Sequence, residues 1–353
     1  MKKIMLVWGW TGWHITPLVS LYNHMTENFR ESAIEFLWIG EKDSMEQRIA
    51  QEKNIRFYWI KAWKLRRYFS LKTLIEPFNI ILWIIESARI IKSEKPALIF
   101  SKWWFVSLPV ALAAKLTWTE LYLHESDTIP WLANRFVGKF ASRVYLGFEE
   151  AGKYFNAEKV NIVWQILNPE LLRTEDKKKL LRTENWEIRA EDRKTNLLII
   201  AWSQGSTRIF KMILDNMDSF SDFNIDVVLW SLNKYLKPEF EKFSNVTVYE
   251  FLSQEKIGKI LEKTDIAITR AWATSLAELE AFWIKMLIIP LKESANDHQF
   301  YNAVAYSDKW EIMIEETDLS TIPELINTFK NFKKTPHQIP LCGALEIIAS
   351  DLI

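Results

Sequence analysis

Tryptophan stands where the loops of this chain call for glycine. An N-terminal apolar strand at 3–7 runs directly into Trp8-Gly9-Trp10-Thr11-Gly12-Trp13-His14, and a helical pattern follows. A strand–turn–helix junction favours small residues. Gly reaches φ > 0 and lets a ligand approach the backbone, while Trp does neither cheaply. The pattern recurs at Ser101-Lys102-Trp103-Trp104-Phe105-Val106, at Ala201-Trp202-Ser203-Gln204-Gly205 and at Arg270-Ala271-Trp272-Ala273-Thr274. With Gly read for Trp, each becomes an ordinary βα loop of a nucleotide-binding domain. The 353 residues include 18 Trp and only 9 Gly; counted together, the two come close to the usual share of glycine, about 7%. We therefore read most of these Trp as Gly in the native product of a gene whose UGA codons mean Gly. The alternative is a protein that is Trp-rich in its own right. The first reading expects several of Trp10, Trp13, Trp103, Trp104, Trp202 and Trp272 at φ > 0 or crowded in a ligand cleft.

The chain is long enough for two domains. Its hydrophobic content of 49% and charged content of 25% fit a globular protein. The net charge of zero gives no global case for nucleic acid. The single cysteine, Cys342, excludes an internal disulfide and fits a reducing cytoplasm. Met1-Lys2-Lys3 resembles the start of a signal peptide, but the apolar stretch behind it is too short. The best membrane-span candidate, 74–91, carries Glu76, Pro77, Glu86 and Arg89, and no run reaches spanning length without charge or Pro.

Apolar runs and helical periods alternate along the chain. Strands are expected at 3–7, 34–37, 55–59, 97–100, 120–124 and 143–145, with helical patterns in most intervals. Residues 161–163 are short and extended, and Asn168-Pro169 marks a break. Segment 174–194 is highly charged with no apolar period and reads as a solvated linker. A second series places strands at 196–201, 225–229, 246–249, 265–269 and 286–290. The expected class is α/β: two Rossmann-like, doubly wound parallel sheets facing a cleft, the GT-B arrangement. Domain limits are expected at 1–163 and 164–353, with the last helix packing back on the first domain.

At these loops the chain resembles the MurG family. The first loop, continued by Ile15-Thr16-Pro17, matches that family's N-terminal signature with Gly where Trp8, Trp10 and Trp13 stand. The segment 101–109 resembles its second Gly-rich loop. His124-Glu125-Ser126-Asp127, continued by Pro130-Trp131-Leu132-Ala133-Asn134-Arg135, resembles its loop beside the cleft. Trp202-Ser203-Gln204-Gly205 matches a phosphate-side loop, 270–278 the nucleotide segment, and Asp297-His298-Gln299 with Asn302-Ala303 the start of a sugar-binding helix. These segments occur in the family's order over nearly the whole chain.

The resemblance implies an inverting, metal-independent transfer of N-acetylglucosamine (GlcNAc) from UDP-GlcNAc, without a cofactor. The acceptor is the C4 hydroxyl of an undecaprenyl-linked muramoyl-pentapeptide, and the product is lipid II for peptidoglycan. It assigns the donor to Thr11, Gly12, Trp13, Asp127, Ser203, Gln204, Gly205, Leu252, Arg270, Ala273, Thr274, Ser275, Leu276, Ala277, Glu278, His298 and Gln299. Glu278 would take the ribose hydroxyls, the backbone at Leu252 uracil, and His298 and Gln299 the sugar. Helix N-termini and backbone N–H groups suit the negative charge that grows on UDP. Trp103, Trp104 and Asn134 fall on the acceptor side. The base that takes the proton from the attacking hydroxyl is His14 or Glu125. Two departures stand out. Asp127 replaces the Asn that many members carry, and Glu170-Leu171-Leu172 precedes Arg173 where the family usually has an Arg directly after Asn-Pro.

Lys64, Arg66 and Arg67 precede an apolar helical stretch at 71–92, a pattern that attracts anionic headgroups. The expected location is the cytoplasmic face of the cell membrane, bound peripherally to anionic inner-leaflet lipid, with no nucleic-acid partner. The competing readings are another GT-B enzyme (a glycolipid glycosyltransferase or a UDP-GlcNAc 2-epimerase) and, should the Trp be native, an inactive nucleotide-sugar-binding protein.

Overall fold

A computed structural model of the chain describes residues 1–7, 16–60, 76–102, 106–172, 194–201, 206–250, 252–307, 312–330 and 343–353. Two compact units are present: 1–166 together with 342–353, and 167–341.

In the first unit the strands are β1 (Lys2–Val7), β2 (Ile34–Gly40), β3 (Arg56–Trp59), β4 (Leu98–Ser101), β5 (Glu120–Glu125), β6 (Arg143–Leu146) and β7 (Val160–Ile162). They form one sheet in the order β3-β2-β1-β4-β5-β6-β7, and every ladder is parallel. Strand alternation sends successive side chains to opposite faces. Ile4 and Leu6 pack with Leu18, Leu21 and Met25 of the helix Thr16–Asn28 and with Leu345, Ile348 and Leu352. Met5 and Val7 pack with Val110, Ala114 and Val137 on the other side. Both faces are covered, which explains why these strands read as nearly unbroken apolar runs.

The helix Gly343–Leu352 belongs to this first unit. Its Asp351 pairs with Arg143 and accepts the Tyr145 hydroxyl at 2.7 Å, and Lys2 Nζ donates to the Ile353 carbonyl at 2.9 Å. The division between the units falls after Ile166 rather than after 163, because Val163 and Ile166 are buried in the first core.

The second unit repeats the plan. Its strands are β8 (Thr195–Ile200), β9 (Phe223–Val228), β10 (Val246–Tyr249), β11 (Ile266–Thr269), β12 (Lys285–Ile288) and β13 (Ile312–Met313), ordered β10-β9-β8-β11-β12-β13, again all parallel. Leu197, Ile199, Ile225, Val227, Ile266 and Ile268 form a core with Ile209, Phe210 and Ile213 of the helix Thr207–Asp215. β13 has only two residues, too short for a sequence period to reveal.

In both sheets the strand order reverses at one place: between β1 and β4, and between β8 and β11. Ligands of doubly wound sheets bind outside the carboxyl ends of strands at such a switch point. The four Trp-bearing segments of the sequence follow these four strands.

The backbone qualifies the expectation about Trp. Trp272 is at φ −77°, an ordinary extended value, so it does not need Gly there. Trp10, Trp13, Trp103, Trp104 and Trp202 lie outside the described residues. Three other tryptophans do occupy the left-handed region: Trp118 (φ 56°), Trp164 (φ 67°) and Trp283 (φ 59°). Two of them end helices in the pattern that normally carries Gly. After Ser107–Thr117, Trp118 N–H donates to Lys115 O and Thr119 N–H to Ala114 O. After Ala273–Ala281, Trp283 N–H donates to Glu280 O and Ile284 N–H to Leu279 O. This paired closure places one residue at φ > 0, a position Gly adopts without Cβ strain. Trp38 carries a different sign of misfit: it is fully buried in β2, with its indole N–H unpartnered, whereas a buried indole N–H usually finds an acceptor.

Candidate functional site

In the first unit the site grows from the ends of β4 and β5, which are neighbours in the sheet. β5 ends in His124 and Glu125, both buried, and Lys102 directly follows β4 and is 3% exposed. Lys102 Nζ lies 2.8 Å from His124 Nδ1 and 2.5 Å from Ser126 Oγ. Since Lys102 donates to Nδ1, His124 carries its proton on Nε2 and donates to the Trp164 carbonyl at 3.3 Å. Burial, and then the Lys102 charge, hold this imidazole well below its usual range. Burial draws Lys102 down to about 7 against the pull of Glu125 and Asp127.

Glu125 has a partner for each oxygen. Oε1 accepts the Asp127 backbone N–H at 2.9 Å, and Oε2 accepts Asn134 Nδ2 at 2.8 Å. Burial and the neighbouring Asp127 charge push Glu125 up to about 8. Asn134 is in the first turn of the helix Leu132–Phe140, and its Oδ1 is buried without a hydrogen-bond partner. Ser101 Oγ donates to Ser107 Oγ at 2.9 Å, spanning residues 103–105.

The loop 126–127 is held from below. Gln165 Nε2 donates to the Ser126 carbonyl at 2.6 Å, and Gly147 N–H donates to the Glu125 carbonyl at 2.8 Å. A Cβ on Gly147 would fall 2.1 Å from Gln165 Nε2 and 3.0 Å from Ser126 O. Only Gly allows this approach.

In the second unit the helix Ala273–Ala281 starts at the end of β11 with no side-chain cap. Its first-turn N–H groups and dipole put partial positive charge at that end. Ala273, Ser275 and Leu276 are buried, while Thr274, Ala277 and Glu278 are half-buried. Burial alone pushes Glu278 up to about 8. The helix His298–Ser307 is tied to this loop: Asn302 Nδ2 donates to Ala271 O at 3.2 Å, and the Trp272 and His298 rings are 5.6 Å apart. His298 Nδ1 is 2.9 Å from Ala295 O. Gln299 Oε1 accepts Leu291 N–H at 3.0 Å, and its Nε2 is buried without a hydrogen-bond partner. Leu252 is buried just beyond β10.

Arg270 differs from its expected role as a donor contact. It is fully buried; Nη1 donates to the carbonyls of Ile289 and Pro290 at 3.2 and 3.3 Å, and Nη2 bonds Glu316. Glu316 also pairs with Arg208 at 2.8 Å, and Arg208 with Glu293 at 2.9 Å. A buried guanidinium needs a counter-charge and acceptors, and here protein groups supply both. Arg270 is thus a strut across the ends of β11 and β12.

The structure therefore brings Glu125, Asp127 and Asn134 together in one unit, and residues 273–278 with His298 and Gln299 in the other. Thr11, Gly12, Trp13, His14, Lys64, Arg66, Arg67, Trp103, Trp104, Arg173, Ser203, Gln204 and Gly205 lie outside the described residues. Lys102, Gln165 and Glu316 were not among the expected site residues. For Lys102 a signal existed: a Lys directly after one strand, with a His-Glu pair ending the next.

Comparison with known proteins agrees with this layout. The Glycosyltransferase family 28 N-terminal domain matches residues 4–146, and the Glycosyltransferase family 28 C-terminal domain matches 197–341. A Clostridium botulinum protein (strain Langeland), named UDP-N-acetylglucosamine–N-acetylmuramyl-(pentapeptide) pyrophosphoryl-undecaprenol N-acetylglucosamine transferase, is 32% identical over 323 residues, 90% of this chain and 88% of its own length. A Clostridium tetani protein of the same name is 32% identical over 90% of this chain and 87% of its own. Among solved structures, Acinetobacter baumannii MurG superposes with a TM-score of 0.72 at 19% identity, covering 94% of this chain and 91% of that one. UDP-GlcNAc 2-epimerase from Neisseria meningitidis, bound to UDP-GlcNAc, gives 0.68 at 13% identity, with 99% of each chain covered. The structural likenesses speak for the two-domain GT-B fold.

Proposed function

Because the chain belongs to glycosyltransferase family 28, we propose that it transfers GlcNAc from UDP-GlcNAc to the C4 hydroxyl of a lipid-linked muramoyl-pentapeptide, making lipid II for peptidoglycan. The observation that carries this reading is the 32% identity, over 90% of the chain, to transferases of that name. The 2-epimerase likeness rests on 13% identity and the fold.

In this reading the first unit handles the acceptor and the proton. Glu125, gripped on both oxygens, takes the proton as the acceptor hydroxyl attacks the anomeric carbon and the bond to UDP breaks. A carboxyl near 8 is matched to that task at neutral pH. His14 is the second candidate base. Asn134 and the loop at 103–104 face the acceptor. The second unit binds the donor: the N-terminus of Ala273–Ala281 and the loop at 203–205 take the diphosphate, and Glu278 takes the ribose. The backbone at 252 takes uracil, and Gln299 offers its Nε2 to the sugar.

Membrane contact fits one face of the first unit. The helix Glu76–Glu94 exposes Ile81, Leu82 and Ile85, Leu116 is exposed on the helix packed against it, and Leu132 and Phe136 on the helix beyond. Lys139 lies over the Phe136 ring. Apolar side chains rimmed by ammonium groups suit an anionic leaflet. No helix among the described residues is long and apolar enough to cross a membrane.

The test is transfer of labelled GlcNAc to a lipid-linked muramoyl acceptor. The chain used carries Trp8→Gly, Trp10→Gly, Trp13→Gly, Trp103→Gly, Trp104→Gly and Trp202→Gly. A β-linked disaccharide lipid formed with chelator present is the expected product. Release of N-acetylmannosamine, or transfer to diacylglycerol in its place, would overturn the reading.

A further inference from the structure

Lys102 is buried at the centre of the acceptor-side cluster, yet neither the donor nor the proton step described above uses it. Few buried lysines persist without a reason, since an ammonium loses its hydration there and must find partners. Here the partners are two side chains of the loop that carries Glu125. Nζ reaches His124 Nδ1 at 2.8 Å and Ser126 Oγ at 2.5 Å, so residues on both sides of Glu125 are tied to one atom. The far side of the tie is fixed as well, through His124 Nε2 to the Trp164 carbonyl and through Gln165 to the Ser126 carbonyl.

The groups that face Glu125 are Lys102 after β4, Asp127 on its own loop and the neutral Asn134 of the adjacent helix. Asp127 opposes ionisation of Glu125, and Lys102 is the one cation among these that favours it. We propose that Lys102 is a positioning residue of the transfer reaction: its Nζ clamps the chain on both sides of Glu125, and while protonated it adds the one positive charge that favours that carboxylate. The inference rests on the reading of Glu125 as base.

The sign follows from the charges. Removing the ammonium leaves Asp127 as the one charge facing Glu125, with the Asp127 N–H and Asn134 still bonded to its oxygens, so its protonated form gains and the acid limb of the rate profile moves to higher pH. Lys102→Met keeps the length and the apolar stem while deleting the charge. The expected result is a limb moved to higher pH by up to about one unit, which lowers kcat by up to roughly fivefold at the old midpoint and lets it recover as pH rises. KM for UDP-GlcNAc should not move. Lys102→Arg, which keeps the charge, should return the limb toward its original position. A role in folding alone would lower kcat at every pH and would not be rescued by base.

An unshifted limb in a folded Lys102→Met enzyme overturns the proposal. Should that variant not fold, Lys102→Gln, which also deletes the charge but keeps a polar head, reads the same limb; an unshifted limb there overturns the proposal equally. Glu125→Gln separates the two levels. If it keeps kcat, the base assignment itself fails. If it loses kcat while Lys102→Met keeps the original limb, only the role of Lys102 fails.

Discussion

The two units share strand order and switch point but differ in what they place at the carboxyl ends of their strands. The first buries Lys102, His124, Glu125 and Asp127 within one cluster, and three of these groups, Lys102, His124 and Glu125, are held away from their ordinary titration range. The second neutralises its buried Arg270 with Glu316 and leaves an uncapped helix end beside a half-buried Glu278. One topology thus serves two electrostatic designs. A cluster of mutually perturbed groups is suited to moving a proton. A helix end with its charges already settled is suited to holding an anion that keeps its charge.

The sharpest way to break this contrast is at Glu125. Glu125→Gln should lower kcat by roughly 10²–10⁴ while leaving UDP-GlcNAc affinity near its original value. Steady-state kinetics at saturating acceptor measure it; a near-normal kcat would move the base to His14. Next in size is Glu278→Ala. Loss of ribose hydrogen bonds to a carboxyl that is largely protonated at neutral pH, about 0.5–1.5 kcal/mol each, should weaken UDP-GlcNAc binding roughly two- to tenfold per bond. Because those contacts are the same in ground and transition states, kcat should change little. Calorimetric titration with UDP-GlcNAc that shows unchanged affinity would remove the donor from this helix.

The pH dependence sharpens the contrast further. Both Glu125 and Glu278 are raised to about 8 in the folded chain, against an ordinary value of 4.5. A raised carboxyl gives stability that is fully present below about 4.5 and is lost as pH climbs through about 8. Melting temperature should therefore fall from pH 5 to pH 9, at roughly 2–4 °C for each kcal/mol lost. Glu278→Gln should flatten that fall without touching the acid limb of kcat/KM, whereas Glu125→Gln should flatten the fall and abolish the limb. Equal effects of the two on the limb would erase the distinction between the units.

The smallest effects concern the helix ends. Trp118→Gly and Trp283→Gly should each add about 1–2 kcal/mol, the cost of the left-handed conformation for a residue with Cβ. Trp272→Gly, at an ordinary φ, should add nothing and should cost some chain entropy. Denaturant midpoints compare the three. A gain at Trp272 equal to that at Trp118 would break the link between Trp and backbone strain.

Much of the fold was legible because its strands are buried on both faces and so read as apolar runs between helical periods. The doubly wound order followed from the alternation of strands and helices, whereas the two-residue strand β13 was too short to leave a period. The buried pairing of Arg270 was not legible either: its counter-charge, Glu316, is 46 residues away with no pattern joining them. The Trp/Gly exchange was legible from composition, but its clearest structural trace lies elsewhere than expected. The sequence leads one to expect φ > 0 in loops after strands. Trp118 and Trp283 instead end helices, where a reversal of hand after an amphipathic run is the usual stop.

The helix Gly343–Leu352 also sets an order of events in synthesis. Residues 1–166 leave the ribosome while the segment that fills their core with Leu345, Ile348 and Leu352 is still untranslated. Until it arrives, the face of the first sheet that it shares with the helix Thr16–Asn28 is only partly covered, and Arg143 and Tyr145 wait for Asp351. Residues 167–341 emerge complete before that moment. Domains tend to fold as units during synthesis, N-terminal first; in this chain ten residues of helix hold back completion of the first core until the second unit has been made.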